Sequence, residues 1–249
     1  MKIKALEYYR GGEMQELFAM GGSLPPEKLD AGKRYPSSLQ NYLVDTGSEV
    51  ILIDTGLPRE TPDFEKTPDA KLYIGEKVAS FPEALAAAGY APEDVSKIVV
   101  THKHPDHTGE LRMFPGAKIF ISRADADALK LDGGNVVRVD FTDGPYRNFE
   151  KSRRIADSLV MLPAPGHTMG NSIAVLEYGG KFWMFHGDIT YTDEALRRNA
   201  LSVVFEDRAL AAESEEKVRE FIRENPTVYL STHTPEGPEH LEKGEIMRL

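Results

Sequence analysis

The chain has 249 residues, 41% hydrophobic and 28% charged, which suits one large α/β domain, here taken as residues 1–249, with a sizeable core. A formal charge of −10 disfavours a nucleic-acid backbone or an anionic membrane as partner; a small-molecule substrate is expected, although charge alone does not settle it, since metals let an acidic enzyme bind anions. There is no cysteine, so disulfides and thiolate sites are excluded and any metal must be held by His, Asp or Glu. Met1 to Glu7 lack the apolar stretch of a signal peptide and no run reaches the length of a membrane span, so a cytoplasmic location is expected.

Residues 1 to about 20 read as a strand followed by a loop broken at Gly11-Gly12 and Gly21-Gly22. Asn41–Val44 and Val50–Ile53 flank Asp45-Thr46-Gly47-Ser48, a hairpin signal. The second of these strands ends in Asp54-Thr55-Gly56, where Asp54 either supports a site from behind or caps the turn. Pro58 to Tyr73 carries three prolines and no clear period, so it reads as a long loop, a common form for a lid. A helix is expected over roughly Gly75 to Ala88, with Val78, Phe81, Leu85 and Ala88 on one face and Gly89 as its stop. Ser96 to Val100 is the strand before the densest cluster of the chain.

That cluster is His102-Lys103-His104-Pro105-Asp106-His107, three of the seven histidines and a carboxylate in six residues. In extended chain, residues two apart point the same way, so His102 and His104 can reach one point. Asp106 and His107 follow as Pro105 and Gly109 turn the chain, and address a second point nearby. A solvated surface loop is the competing reading for one histidine, but it does not account for four ligand-type residues at a strand end.

A helical turn ends near Pro115, Lys118–Ile121 is a strand, and Ser122-Arg123-Ala124-Asp125 opens a helix through about Leu131 with the pattern of a capping box. The polar segment Asn135 to Lys151 is a candidate pocket wall, with Tyr146 and Phe149 as contacts. Ser158–Leu162 is a strand leading to Gly166-His167-Thr168. Ile173–Leu176 and Phe182–Phe185 pair around Gly179-Gly180, and the second delivers His186-Gly187-Asp188, with Tyr191 three residues on. Glu213 to Arg223 has amphipathic helical spacing. Thr227–Ser231 is the last strand and delivers His233. One event therefore recurs, at His102 to His107, His167, Asp188 and His233: a hydrophobic strand ends in a Gly- or Pro-marked loop bearing a ligand-type side chain. Five histidines and two aspartates on four strand ends can hold two divalent metals, with one carboxylate shared between them.

The order His-x-His-x-Asp-His, Gly-His-Thr, Gly-Asp and a late strand-end His resembles the metallo-β-lactamase superfamily over nearly the whole chain, including Ile53-Asp54-Thr55-Gly56. The resemblance implies an α/β fold, a four-layer αβ/βα sandwich with a dinuclear site at the edge between its sheets. It implies that one metal takes His102, His104 and His167, and the other Asp106, His107 and His233, with Asp188 bridging. Zn²⁺ is the first expectation, and Fe²⁺, Mn²⁺ and Co²⁺ also accept such donors. His186, beside Asp188, is read as supporting the site from behind, and His240 as merely exposed.

Within the superfamily, Asp188 argues against the true zinc β-lactamases, His104 against flavodiiron proteins, and the short stretch after His233 against glyoxalase II-type thioesterases with their helical C-terminal domain. The chain is most similar to the N-acyl-homoserine lactonase branch, sharing Gly187-Asp188-Ile189-Thr190-Tyr191-Thr192 and the long early loop. It departs at Pro105, where many members carry a bulkier residue. The resemblance implies lactone opening by a metal-bridging hydroxide, with Tyr191 stabilising the carbonyl oxygen and Asp106 carrying the proton to the ring oxygen. Phe18, Met20, Phe64 and Tyr73, from the two early loops, are the expected acyl-chain contacts, and the protein is expected to be a monomer or homodimer. The alternatives are another hydrolase on the same site, acting on a thioester, a phosphodiester or a different lactone, and a metal-binding protein without turnover.

Overall fold

The computed structural model describes residues 1–249. Two sheets stack face to face and helices cover their outer faces. The first sheet holds β1 (Lys2–Gln15), β2 (Arg34–Asp45), β3 (Val50–Ile53), β4 (Leu72–Lys77), β5 (Val95–Val100), β6 (Lys118–Ser122) and β7 (Val136–Val139), in the order β4-β1-β2-β3-β5-β6-β7. The β3-β5-β6-β7 half is parallel and the rest antiparallel. The second sheet holds β8 (Arg153–Ala156), β9 (Leu159–Pro163), β10 (Ser172–Tyr178), β11 (Lys181–Phe185) and β12 (Thr227–Leu230), in the order β12-β11-β10-β9-β8.

Alternation along the strands builds three of the four cores. Val44, Ile53, Val99 and Phe120 of the first sheet meet Met161, Leu176, Phe185 and Leu230 of the second in the central core. The opposite face of the first sheet, with Leu43, Leu52, Ile98 and Ile119, packs under Phe81, Leu85 and Ala126 of α2 (Phe81–Ala87) and α4 (Arg123–Leu129). The outer face of the second sheet packs under Leu196 of α5 (Asp193–Arg198) and Val218, Phe221 and Ile222 of α6 (Arg208–Glu224). Each fully buried Leu, Ile, Val or Phe here contributes about 1.5–3 kcal/mol. This is the expected four-layer sandwich. The fourth core is small: Met14, Ala19, Met20, Tyr191, Ala195 and Ala200 gather between α1 (Glu16–Met20) and α5.

The helix expected over Gly75 to Ala88 starts later. Leu72–Lys77 instead extends the first sheet, with Gly75 opposite Gly11. Gly75 sits at φ +108°, and a Cβ there would lie 2.1 Å from the Arg10 carbonyl oxygen, so only glycine permits this pairing. The helix begins where its chemistry allows: the Ser80 backbone N–H and hydroxyl both donate to Glu83, at 2.7 and 2.6 Å, and Pro82 falls in the first turn. Val78, assigned to the buried face, is 52% exposed.

The segment Asn135 to Lys151 does not line the cavity beside the histidine cluster. It contributes β7, and Phe149 is buried in the core beneath α6, 6.3 Å from the Phe221 ring, with Tyr146 against the same cluster. Also unanticipated were β8, α5 and α7 (Glu236–Lys243). α5 is capped by Thr192, whose hydroxyl accepts from the Ala195 backbone N–H at 3.0 Å. No helix is long and apolar enough to cross a membrane.

Candidate metal centre

All four histidine- or aspartate-bearing strand ends open at one edge of the sandwich. β5 stops at Val100 and the chain leaves the strand through Thr101 and His102 before bending at Lys103. His104 caps α3 (Pro105–Thr108), where Pro105 takes the first-turn position that needs no amide donor. That turn swings Asp106 and His107 toward a point beside the one His102 and His104 face. His167 follows β9, Asp188 follows β11 and His233 follows β12. Gly187 holds φ +56° against the Thr101 side chain, where a Cβ would sit 2.9 Å from Oγ1. The two sheets are joined beside the site by Ser172, whose backbone N–H and hydroxyl both donate to the Thr101 carbonyl at 2.9 Å.

The first group is His102, His104, His167 and Asp188. His102 Nε2, His104 Nδ1 and His167 Nε2 lie 3.0–3.2 Å from one another, and Asp188 Oδ2 is 3.4 Å from His167 Nε2. The second group is Asp106, His107 and His233. Asp106 Oδ2 is 3.7 Å from His107 Nε2 and 3.4 Å from His233 Nε2. Asp188 faces both groups: its Oδ2 is 3.1 Å from His233 Nε2 and its Oδ1 is 3.3 Å from His107 Nε2.

Ring partners decide which nitrogen is free. His107 Nδ1 donates to Asp54 Oδ2 at 2.7 Å and His167 Nδ1 donates to the Val204 carbonyl at 3.0 Å. In both rings the proton is thereby held on Nδ1 and the Nε2 lone pair faces the site. Three imidazole nitrogens converging within 3.2 Å cannot satisfy one another as donors and acceptors. His107 Nε2 and Asp188 Oδ1 are buried without hydrogen-bond partners although they almost touch. Such crowding of lone pairs fits a divalent cation at each point, with N and O donors of the kind Zn²⁺ takes. Electrostatics agree. Burial and the neighbouring His107 hold the His102 imidazole well below its ordinary pKa, a neutral, donor-ready ring. Burial also disfavours positive charge on His107, but Asp54, Asp106 and Asp188 outweigh it and make positive charge favourable at that point.

Asp54 therefore supports the cluster from behind. It sits at φ +66°, and besides His107 it accepts from the Thr101 backbone N–H at 2.7 Å and the Thr101 hydroxyl at 2.8 Å. Asp125 was read only as part of a capping box, yet it does more. Its buried carboxylate accepts from Lys103 N–H at 2.9 Å, the Thr168 hydroxyl at 2.7 Å and Gly170 N–H at 3.1 Å, tying the His102 loop to the His167 loop. A carboxylate in the first turn after a strand was its only local signal.

His186 does not support Asp188 as expected. Both its ring nitrogens lack partners, and the ring stacks on Tyr229 with centroids 3.8 Å apart. Gly187, at φ +56°, turns the chain between the two residues. His240 is buried rather than exposed: Nδ1 bonds the Tyr229 carbonyl at 3.0 Å and Nε2 lies 3.3 Å from Asp193. The amphipathic turn of α7 carries it inward.

A cavity of about 300 Å³ leads to the cluster. Leu39, Leu57, Phe64, Leu72, Tyr73 and Ile74 line its sides, and Asp106, Asp188, Tyr191 and His233 form its floor. Phe64 and Tyr73, two of the expected acyl contacts, are among its lining residues. Phe18 and Met20 do not line it. Met20 has no exposed surface and packs in the small fourth core, and Phe18 meets the Tyr191 ring edge-on at 5.0 Å. Tyr191 also stacks on His233, with centroids 4.9 Å apart. Burial, then the charges of Asp188 and Asp106, push its hydroxyl well above the ordinary pKa, so it remains a proton donor.

The sequence profile of the Metallo-beta-lactamase superfamily matches residues 36–233. An N-acyl homoserine lactonase of a Bacillus species is 26% identical over 239 residues, covering 92% of this chain and 93% of its own. The N-acyl homoserine lactonase of Bacillus cereus is 26% identical over 196 residues, covering 76% and 78%. Among solved structures, an N-acyl homoserine lactone hydrolase with the product N-hexanoyl-L-homoserine at its catalytic metal centre superposes with a TM-score of 0.74 at 20% identity, covering 98% and 96%. The dizinc quorum-quenching lactonase AidC superposes with a TM-score of 0.66, also at 20% identity, covering 94% and 86%. With the profile spanning most of the sequence and the donor cluster in place, the chain belongs to the metallo-beta-lactamase superfamily and is one of its metal-dependent hydrolases.

Proposed function

We propose that this protein opens the ring of N-acyl-homoserine lactones with water, using two divalent cations, Zn²⁺ first among them. The observation that carries the reading is the apolar cavity that ends on the His/Asp cluster beside a protonated tyrosine. Its side walls suit an aliphatic acyl chain and its polar floor a small ester, the usual division of labour in a ligand pocket. The first cation would be held by His102, His104 and His167, the second by Asp106, His107 and His233, with Asp188 between them. Bound there, such ions supply hydroxide at neutral pH and polarise a carbonyl.

The chain's own groups do the rest. Tyr191 donates its hydroxyl proton toward the lactone carbonyl oxygen, where negative charge develops. Asp106, with 23% of its side chain exposed, is the most accessible carboxylate of the cluster and takes the proton from water to the departing ring oxygen. Phe64 and Leu72 give the acyl side an apolar lining. The test is ring opening of short- and long-chain N-acyl-homoserine lactones beside a thioester and a phosphodiester, with metal content measured on the same sample. Lactone turnover well above the other two is expected. Preference for either of the others, or no turnover with two cations bound, overturns the reading.

A further inference from the structure

We propose that Glu16 is a positioning residue for Tyr191, fixing from one buried carboxylate both the helix that buttresses the tyrosine ring and the helix that follows it. The inference rests on the lactonase reading for its kinetic half only.

α1 has five residues and its N-cap residue, Gln15, makes no side-chain cap. A helix that short does not hold itself in water, so its place is set by what anchors it. Glu16 is the anchor. It is 3% exposed, and it accepts from Asp30 N–H at 2.6 Å, the Tyr35 hydroxyl at 2.9 Å, Arg198 at 3.0 Å and Lys33 at 3.1 Å. Two cations and two neutral donors thus converge on one carboxylate. Burial opposes its charge, yet these donors outweigh that and bring its pKa down to about 2.

Two arms run from Glu16 to the tyrosine. Along α1, Phe18 presents its edge to Tyr191 at 5.0 Å, and Met20 and Ala19 pack in the same small core. Through Arg198, the carboxylate holds the end of α5, whose start lies two residues beyond Tyr191 and whose Ala195 shares that core. Arg198 also reaches Met20 Sδ at 3.4 Å and the Lys28 carbonyl at 3.0 Å, so the two arms are cross-tied. On its other face Tyr191 rests on His233. The place of the hydroxyl therefore depends on where α1 and α5 sit, and Glu16 is not among the residues lining the cavity.

The test is a double-mutant cycle with the metal-loaded enzyme and N-hexanoyl-homoserine lactone. Glu16→Gln should keep wild-type metal content and lower kcat by about tenfold or more, as misplacement by a fraction of an ångström does. In a Tyr191→Phe background the same substitution should cost less than about twofold, because no hydroxyl is left to misplace. Unchanged kcat, or a cost that multiplies independently of Tyr191, overturns the proposal. Arg198→Met removes the α5 arm and the cross-tie to Met20 while leaving Glu16 itself in place, and carries the same cycle should Glu16→Gln fail to fold. Hydrogen exchange of residues 193–198 separates this inference from the functional one. Faster exchange there in the variant is expected whatever the substrate, and unchanged exchange refutes the link even if lactones are opened.

Discussion

Replacing Asp54 by asparagine exchanges one acceptor oxygen for an amide and changes little else. Asparagine tolerates the φ of +66° about as well as aspartate, so the backbone has no reason to move. In the native chain Oδ1 serves the Thr101 N–H and Oδ2 serves both the Thr101 hydroxyl and His107 Nδ1. The amide has one oxygen for these two sides. If the oxygen stays on Thr101, the new N–H₂ faces His107, whose proton must then move to Nε2, the atom that faces the second cation point. If the amide turns over, the buried Thr101 N–H meets another donor. A buried donor left unsatisfied costs about 1–3 kcal/mol, which at about 1.4 kcal/mol per decade is roughly 5- to 150-fold in affinity. Competition with a chelator of known strength, with metal counted per chain, measures this. The expected result is one affinity class weakened by about that factor while the His102, His104 and His167 class persists. Two unchanged affinities would show that the Asp54–His107 bond does not set the ring's tautomer.

Tyr191→Phe should retain both metals and lower kcat for lactones by about 10²–10³, the usual cost of one lost oxyanion donor; unchanged steady-state kinetics remove the hydroxyl from the reaction. Asp188→Asn should lose metal and turnover together, because its carboxylate faces both donor groups, and elemental analysis showing full occupancy refutes its shared role. Glu215 offers a pH test. Burial raises its pKa from 4.5 to about 8, with Arg219 only partly opposing, and Oε1 has no partner. The folded chain keeps a proton that the unfolded chain releases, so this group's contribution falls as pH rises from about 4.5 to about 8. Thermal unfolding of Glu215→Gln should therefore gain on wild type between pH 5 and pH 8, and a constant gap between the two proteins rejects the assignment.

The donor cluster was legible because its signal is local. β-branched runs such as Ile98-Val99-Val100 end abruptly at histidines, and strand period fixes which of them face together. The sandwich came with the resemblance. What stayed hidden was decided by tertiary partners. Gly75 looks like a helix opening until the Arg10 backbone is beside it, although Ser80 and Glu83 did mark the true start. His186 was read as supporting the site and His240 as exposed, and only their packing against Tyr229 and Asp193 shows that neither reading holds. Asp125 and Glu16 serve partners up to 45 and 182 residues away, beyond any local pattern. Met20 was taken for a pocket contact because a short loop gives no hint of which side its helix will bury.

The donors come from both leaves of the sandwich: four from the turn after β5 and one from each turn after β9, β11 and β12. Each donor group draws on both leaves, and neither leaf alone completes one. A complete donor set therefore forms only once the halves have closed, and an ion seated in it would act as a rivet across the seam that Ser172 and Thr101 already stitch. By mass action, binding confined to the folded state adds to its stability about 2.7 kcal/mol at a hundredfold excess over Kd. With ions seated there, the endurance of the fold would follow the local supply of metal.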